Sequence, residues 1–180
     1  VNLKELTWEN HKSAERKKFA SILLSGNIEP ALYHKYLTNQ FYNYVALEYK
    51  LPLEELGISS IARSELISED IRELEDMYGL DSVTEEISQS TKDYATYCED
   101  LFENDKAGLI AHMYVRHFGD MYGGAFIAKR IPGSGKMYEF DNKDELKNKV
   151  RAMLDDSMAP EANRCFGFAI RLFEELYNEE

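Results

Sequence analysis

Apolar residues recur at spacings of three and four along nearly the whole chain, and no stretch alternates apolar and polar positions as a half-buried strand would. The pattern predicts a first helix from Thr7, as N-cap, to about Gly26. A second begins at Pro30, a residue suited to the first helical position. It runs to about Lys50, and Pro52 forbids its continuation. A third, amphipathic piece lies between Ser59 and Tyr78 and ends at Gly79. Ser82 with Glu85 has the spacing of a capping box, for a helix reaching about Asn104. A long helical pattern follows from Lys106 to Arg130, and then the loop Pro132-Gly133-Ser134-Gly135. Asn142 with Glu145 marks another cap, for a helix to Asp156. Pro160 opens the last helix, with Ala162, Phe166, Ala169, Ile170, Phe173 and Tyr177 on one stripe. The fold class is therefore all-α, with about six to eight helices. No linker or repeat divides residues 1–180, which read as a single domain.

Two segments depart from simple core patterning. On the first helix, Trp8, His11, Glu15, Phe19 and Ile22 share one face. Three are apolar and should point inward, so His11 and Glu15 point inward with them. Burying a polar group costs free energy unless it finds a partner. A core histidine satisfied by Glu15 one turn later is one account. A metal ligand is the other: neutral imidazole is an axial ligand for haem iron, and Glu15 would then orient the ring from behind. A non-haem site is disfavoured, because HExxH is absent and so are the paired Glu-x-x-His motifs of a di-iron bundle.

The second segment is Tyr114 to Ala128, where Gly119, Gly123 and Gly124 interrupt a strong helical pattern. Each costs about 1 kcal/mol relative to Ala, so the three together cost roughly 3 kcal/mol. Close helix–helix packing would explain them, and so would close approach of the backbone to a flat ligand. Asp120 lies beside the first glycine. Arg116 precedes it by one turn and is placed to pair with it; an acid in such a pocket can also hold ordered water.

Composition narrows the classes. The net charge of -12 argues against a nucleic-acid or anionic-membrane partner. Cys98 and Cys165 are too few for a disulfide framework or a structural zinc site, and Cys165, among apolar residues, reads as a buried free thiol in a reducing cytosol. No apolar run has transmembrane length and no signal peptide is seen, so the expectation is a soluble, cytoplasmic protein.

Several ordered segments resemble the heme oxygenase family. His11 to Glu15 resembles its proximal-helix motif and Tyr42 to Glu48 its second-helix motif. Tyr114 to Gly124 resembles its distal helix, and Leu172 to Leu176 the end of its last helix. The similarity spans nearly the whole chain. It implies that haem b, at once substrate and cofactor, lies between a proximal and a distal helix with its iron ligated by His11 and Glu15 in support. Gly119, Gly123 and Gly124 would line the distal face. Asp120 would anchor water that relays protons to activated oxygen, with Tyr44, Tyr114 and Arg116 in that network. Lys4, Lys147 and Arg151 would hold the haem edge, the last two as a propionate clamp one turn apart. The implied products are biliverdin, its IXα isomer from the retained Lys147 and Arg151, carbon monoxide and ferrous iron. The implied co-substrates are O2 and electrons from outside, since no flavin or nicotinamide fingerprint is present. Reduced ferredoxin is the expected donor, with Arg16, Lys17 and Lys18 as a local docking run, and a bilin reductase a possible consumer of the product. A monomer is the default.

The chain departs from the family pattern in places. Tyr122 stands where Ser is often found, and His117 and Phe118 where Tyr and Leu are common. Ala125 replaces a common Gln, and Met153 lies where some relatives have Arg. Three rivals differ in class: a haem carrier or sensor without turnover, a fold relative for another small ligand, and a structural helical interaction module. Mere haem binding requires neither Asp120 nor the glycines. The fold relative is opposed by His11 together with the distal motif. The interaction module would need a large exposed apolar patch.

Overall fold

In the computed structural model, which describes residues 1–82 and 87–177, nine α-helices and three short 3-10 turns make up the regular structure of the described residues. The helices are α1 (Leu3–Leu6), α2 (Trp8–Glu15), α3 (Lys18–Leu24), α4 (Pro30–Glu48), α5 (Ser64–Tyr78), α6 (Gln89–Asn104), α7 (Lys106–Ala128), α8 (Lys143–Arg151) and α9 (Ala159–Leu176). The fold is all-α, as the periodicity predicts.

Helix α4 is the axis. It packs against α5, α6, α7 and α9. It therefore buries residues on several faces, polar Asn39, Gln40, Asn43 and Glu48 among them. One apolar cluster gathers Phe19, Tyr33, Tyr36, Leu37, Ile67 and Leu172; a second gathers Leu47, Ile58, Tyr94, Leu109, Met113 and Val150. A smaller one, of Leu3, Ala111, Met158 and Ala162, pins α1 to α7 and α9.

The N-terminal segment is where the periodicity misleads. The expected continuous helix is broken into α1, α2 and α3. Thr7 does not cap by side chain; its hydroxyl donates back to the Leu3 carbonyl at 2.7 Å. Lys17 takes an extended conformation, ψ 144°, and its Nζ pairs with Glu174 of α9 at 3.3 Å. The break has a packing reason. Phe19 turns fully into the core, against Tyr36 and Phe173, whereas His11 stays half-buried and Trp8 exposed. A straight helix would hold all three on one face.

Other boundaries shift less. The third helix starts at Ser64, because Ala62 is extended after a 3-10 turn over Ser59–Ile61. Gly79, with φ +65°, ends it in the left-handed region that Gly adopts without cost. The suggested Ser82–Glu85 cap falls partly outside the described residues; α6 begins later, after Ser88, and the Ser82 hydroxyl bonds Glu75 instead. Helix α8 stops at Arg151, short of Asp156. Both cysteines are buried free thiols.

Candidate functional site

A cavity of about 530 Å³ opens between α2–α3, α7 and α9, within the range of sites for sizeable organic ligands. His11, Ala14 and Glu15 stand on one wall. Gly119, Asp120 and Gly123 of α7 stand on another, and Phe166, Ala169 and Phe173 of α9 complete the enclosure. The predicted α9 stripe is thus a cavity wall as well as core. Arg116, Tyr36, Gln40 and Tyr44 reach the same space.

His11 Nε2 lies 2.6 Å from Glu15 Oε1, and the two side chains are 43% and 67% exposed. The sequence expectation of an inward-facing pair is therefore corrected: the pair sits at the cavity, and its desolvation cost is small. The imidazole stacks on Trp8 and meets the edge of Phe166, with centroids 5.5 and 5.7 Å away. One ring nitrogen is taken by Glu15, so a metal at this side chain needs the other.

The distal wall is open where the glycines are. A Cβ at Gly119 would meet nothing within 4 Å, and one at Gly123 only Ile127 Cδ1, at 3.9 Å. Gly124 differs. It lies about 100° further around α7, and its Cβ would fall 2.8 Å from Tyr138 Cδ1. Its close approach is to Tyr138, not to the cavity, which corrects its expected place on the distal face.

Asp120 faces the cavity with dense protein on its other sides. Tyr44 donates its hydroxyl to Asp120 Oδ2, and the Tyr44 hydroxyl oxygen also lies 3.0 Å from the Arg116 carbonyl. Burial raises the Asp120 pKa from 3.8 to about 6, although the Tyr44 hydrogen bond and the charges of His117, Arg63 and Arg116 pull the other way. The carboxyl therefore titrates close to neutrality, where a group both accepts and releases protons readily. Tyr44 itself is driven up by burial and by Asp120, and stays a phenol donor.

The expected Arg116–Asp120 pairing is replaced. The guanidinium lies over the Tyr94 ring at 4.2 Å, and its buried Nε has no hydrogen-bond partner. Tyr114 is also displaced from the expected network. Six residues from Asp120, it lies about 120° around the helix and packs on Phe118. Phe118 in turn meets Tyr122. This ladder leads to the basic residues of α8: Arg151 Nη2 donates to the Tyr122 hydroxyl at 2.5 Å, and Lys147 Nζ sits 4.3 Å over its ring. Lys147, Arg151 and the exposed Lys4 are thus not on the cavity wall.

The heme oxygenase family model matches residues 1–175. The chain belongs to the heme oxygenase family. Heme oxygenase of Pyropia yezoensis is 29% identical over 97% of this chain and 84% of its own length. Heme oxygenase 1 of Nostoc is 29% identical over 94% and 82%. Among solved structures, heme oxygenase from Leptospira interrogans superposes with a TM-score of 0.81 at 26% identity, covering 96% of this chain and 97% of that one. Heme oxygenase-1 from Synechocystis, solved in complex with heme, gives 0.82 at 25% identity, covering 97% and 90%. Family membership supports haem binding and haem degradation in general. Among the described residues no helix is long and apolar enough to cross a membrane.

Two features of this heme oxygenase family member escaped sequence reasoning. The His117 ring joins Glu48 across two helices at 2.7 Å. His112 is buried between the Tyr94 hydroxyl, at 2.8 Å, and Glu161 Oε1, at 3.1 Å. Both pairings join residues far apart in the chain. The available signal was only that each histidine lies in an apolar stretch of α7.

Proposed function

We propose that this chain cleaves haem with O2 and external electrons to biliverdin IXα, carbon monoxide and ferrous iron, as one domain. The observation that carries the proposal is one cavity with His11 on one wall and, on the other, a Tyr44-bonded Asp120 beside two positions without side chains. When bound, haem would supply both the iron chemistry that activates oxygen and the ring that is opened.

The residues present fit that group. Gly119 and Gly123 give a flat ring access to the α7 backbone, and Phe166 and Phe173 offer apolar contact. His11 would ligate the iron through the ring nitrogen that Glu15 leaves, and Glu15 would fix the orientation of the imidazole. Tyr44 holds Asp120 in one rotamer, aimed at the cavity. Asp120 would hold and release a proton at its carboxyl oxygens on the cavity side. Its environment suits this, because a carboxyl titrating near pH 6 does both without a large free-energy step. Arg116 holds positive charge at the same cavity. Lys147 and Arg151 lie beside Tyr122, off the cavity wall, and would turn from it to receive the propionates, with Lys4 at the edge and Tyr114 behind them.

Electrons would come from reduced ferredoxin. Arg16 and Lys18 lie on the exposed surface, and Lys17 beside them pairs with Glu174. The remaining elements of the proposal are a downstream bilin reductase and a cytoplasmic monomer. The test is to load the purified protein with haem and follow its absorption after adding reduced ferredoxin and oxygen. Loss of the haem bands with growth of a biliverdin band, abolished in Asp120→Asn, is expected. A His-ligated spectrum that never bleaches, with ferredoxin or with ascorbate, would leave a haem carrier or sensor and overturn the reaction.

A further inference from the structure

Behind Tyr44 lies a buried pair that the cleavage chemistry above does not use. His117 is fully buried on α7. Its Nε2 lies 2.7 Å from Glu48 Oε2, and its Nδ1 lies 3.2 Å from the Met113 carbonyl. Both partners are acceptors. Glu48 also accepts the backbone N–H groups of Arg63, at 2.7 Å, and Ser64, at 3.1 Å. A carboxylate taking three donors is ionised. Burial alone would raise its pKa, yet His117 and the two amides hold it below the ordinary value. An imidazole whose two nitrogens both face acceptors needs a proton on each, which only the cation has.

The other hydrogen bonds to Glu48 come from neutral backbone amides and not from a cationic side chain. The Arg63 guanidinium donates to the carbonyls of Ser60, Ile61, Ala62, Met137 and Glu139, and it is its backbone amide that reaches Glu48. Beyond Glu48, a second cavity of about 540 Å³ carries Glu65, Glu139 and Asp141, all of which favour a cation nearby. The His117 ring stands edge-on to Tyr44, with centroids 4.9 Å apart and planes at 83°. Tyr44 in turn bonds Asp120, three residues after His117 on α7. A ring contact carries no proton, so His117 influences Asp120 by charge and not as a link in a wire. The other groups facing Asp120 are Tyr33, Tyr36 and Tyr44 from α4, Tyr138 from the segment after α7, and the cations Arg63 and Arg116.

We propose that His117 is a standing imidazolium, locked by Glu48, that acts as a positioning residue and sets the pH at which Asp120 carries its charge. Without it, burial would leave Asp120 protonated over more of the neutral range. The proposal deepens the role given above to Asp120 and rests on that role for its catalytic meaning, but not for its test.

The test uses the full-length, haem-free chain labelled with 15N and 13C. Long-range 1H–15N spectra of the histidine rings should show both His117 nitrogens protonated at neutral pH, as their two acceptors require. A single neutral tautomer for His117 at neutral pH would overturn the proposal. The Asp120 carboxyl carbon is then titrated in wild type and in H117Q, which keeps a donor for Glu48 but no charge. An upward shift of about one pH unit is expected, and an unchanged midpoint overturns the proposal. Should H117Q fail to fold, the wild-type ring spectra still decide. Neither measurement involves haem, so an inactive enzyme with an imidazolium at His117 would separate failure of the cleavage reaction from failure of this proposal.

Discussion

Replacing Asp120 with Asn should remove activity and add stability. The physical reason is that the folded protein raises the carboxyl pKa from 3.8 to about 6, mainly through burial. In the unfolded chain the same group ionises near 3.8. Between these values the unfolded state loses its proton first, so wild-type stability falls as pH rises through this window. Above pH 6 the full penalty is in place. About two pKa units at 1.36 kcal/mol each set its ceiling near 3 kcal/mol. Asp120 is only partly buried and borders the cavity, and Asn accepts a weaker bond from Tyr44, which together reduce the gain to about 1–2 kcal/mol. Urea unfolding of the haem-free proteins at a series of pH values measures the difference directly. Asp120→Asn should match wild type or fall slightly below it near pH 4, and exceed it above pH 6. A difference that does not change with pH, or a wild type more stable above pH 6, would refute this account of Asp120.

The glycines of α7 should divide by direction. Gly119→Ala, whose Cβ enters open space, should stabilise the haem-free chain by up to about 1 kcal/mol while weakening haem binding. Gly124→Ala, driven against Tyr138, should destabilise it by about 1–3 kcal/mol; thermal melts with haem titration read both. At Glu161, burial opposes the charge, but bonds from His112, Tyr97 and Arg164 carry the pKa down to about 2. Stability from this group is present above the unfolded carboxyl's range and lost as pH falls toward 2. Glu161→Gln should therefore cost about 2–3 kcal/mol at neutral pH, with the difference from wild type shrinking in acid unfolding curves. Tyr122→Phe frees Arg151 from a neutral acceptor that would compete with a carboxylate. It should tighten haem binding roughly two- to five-fold, and an unchanged affinity by fluorescence quenching would show that Arg151 does not meet the ligand.

Much of this protein is legible one element at a time. Helical spacing, Pro30 and Pro160 at helix starts and Gly79 at a helix end specify an all-α chain, because capping and periodicity are local properties. The glycines in α7 are legible for the same reason: their cost falls on the helix that contains them, so something outside it must require them. Resemblance of the ordered segments supplies the family, which the matches to known proteins bear out. What one helix means to another is not written locally. That Phe19 should turn away from His11 depends on Tyr36 and Phe173, and the break at Lys17 follows. That Gly124 serves Tyr138 while Gly119 and Gly123 face a cavity depends on a segment that returns after α7. Arg116 has a carboxylate one turn away in sequence, yet the fold offers it the Tyr94 face. Glu48 and His117, 69 positions apart, meet only because α4 and α7 cross. The sequence thus determined which stretches are helical and which residues needed a reason to be there. The tertiary structure decided the partners of those residues, and hence their charges, because hydrogen bonds and desolvation depend on what packs alongside and not on what comes next.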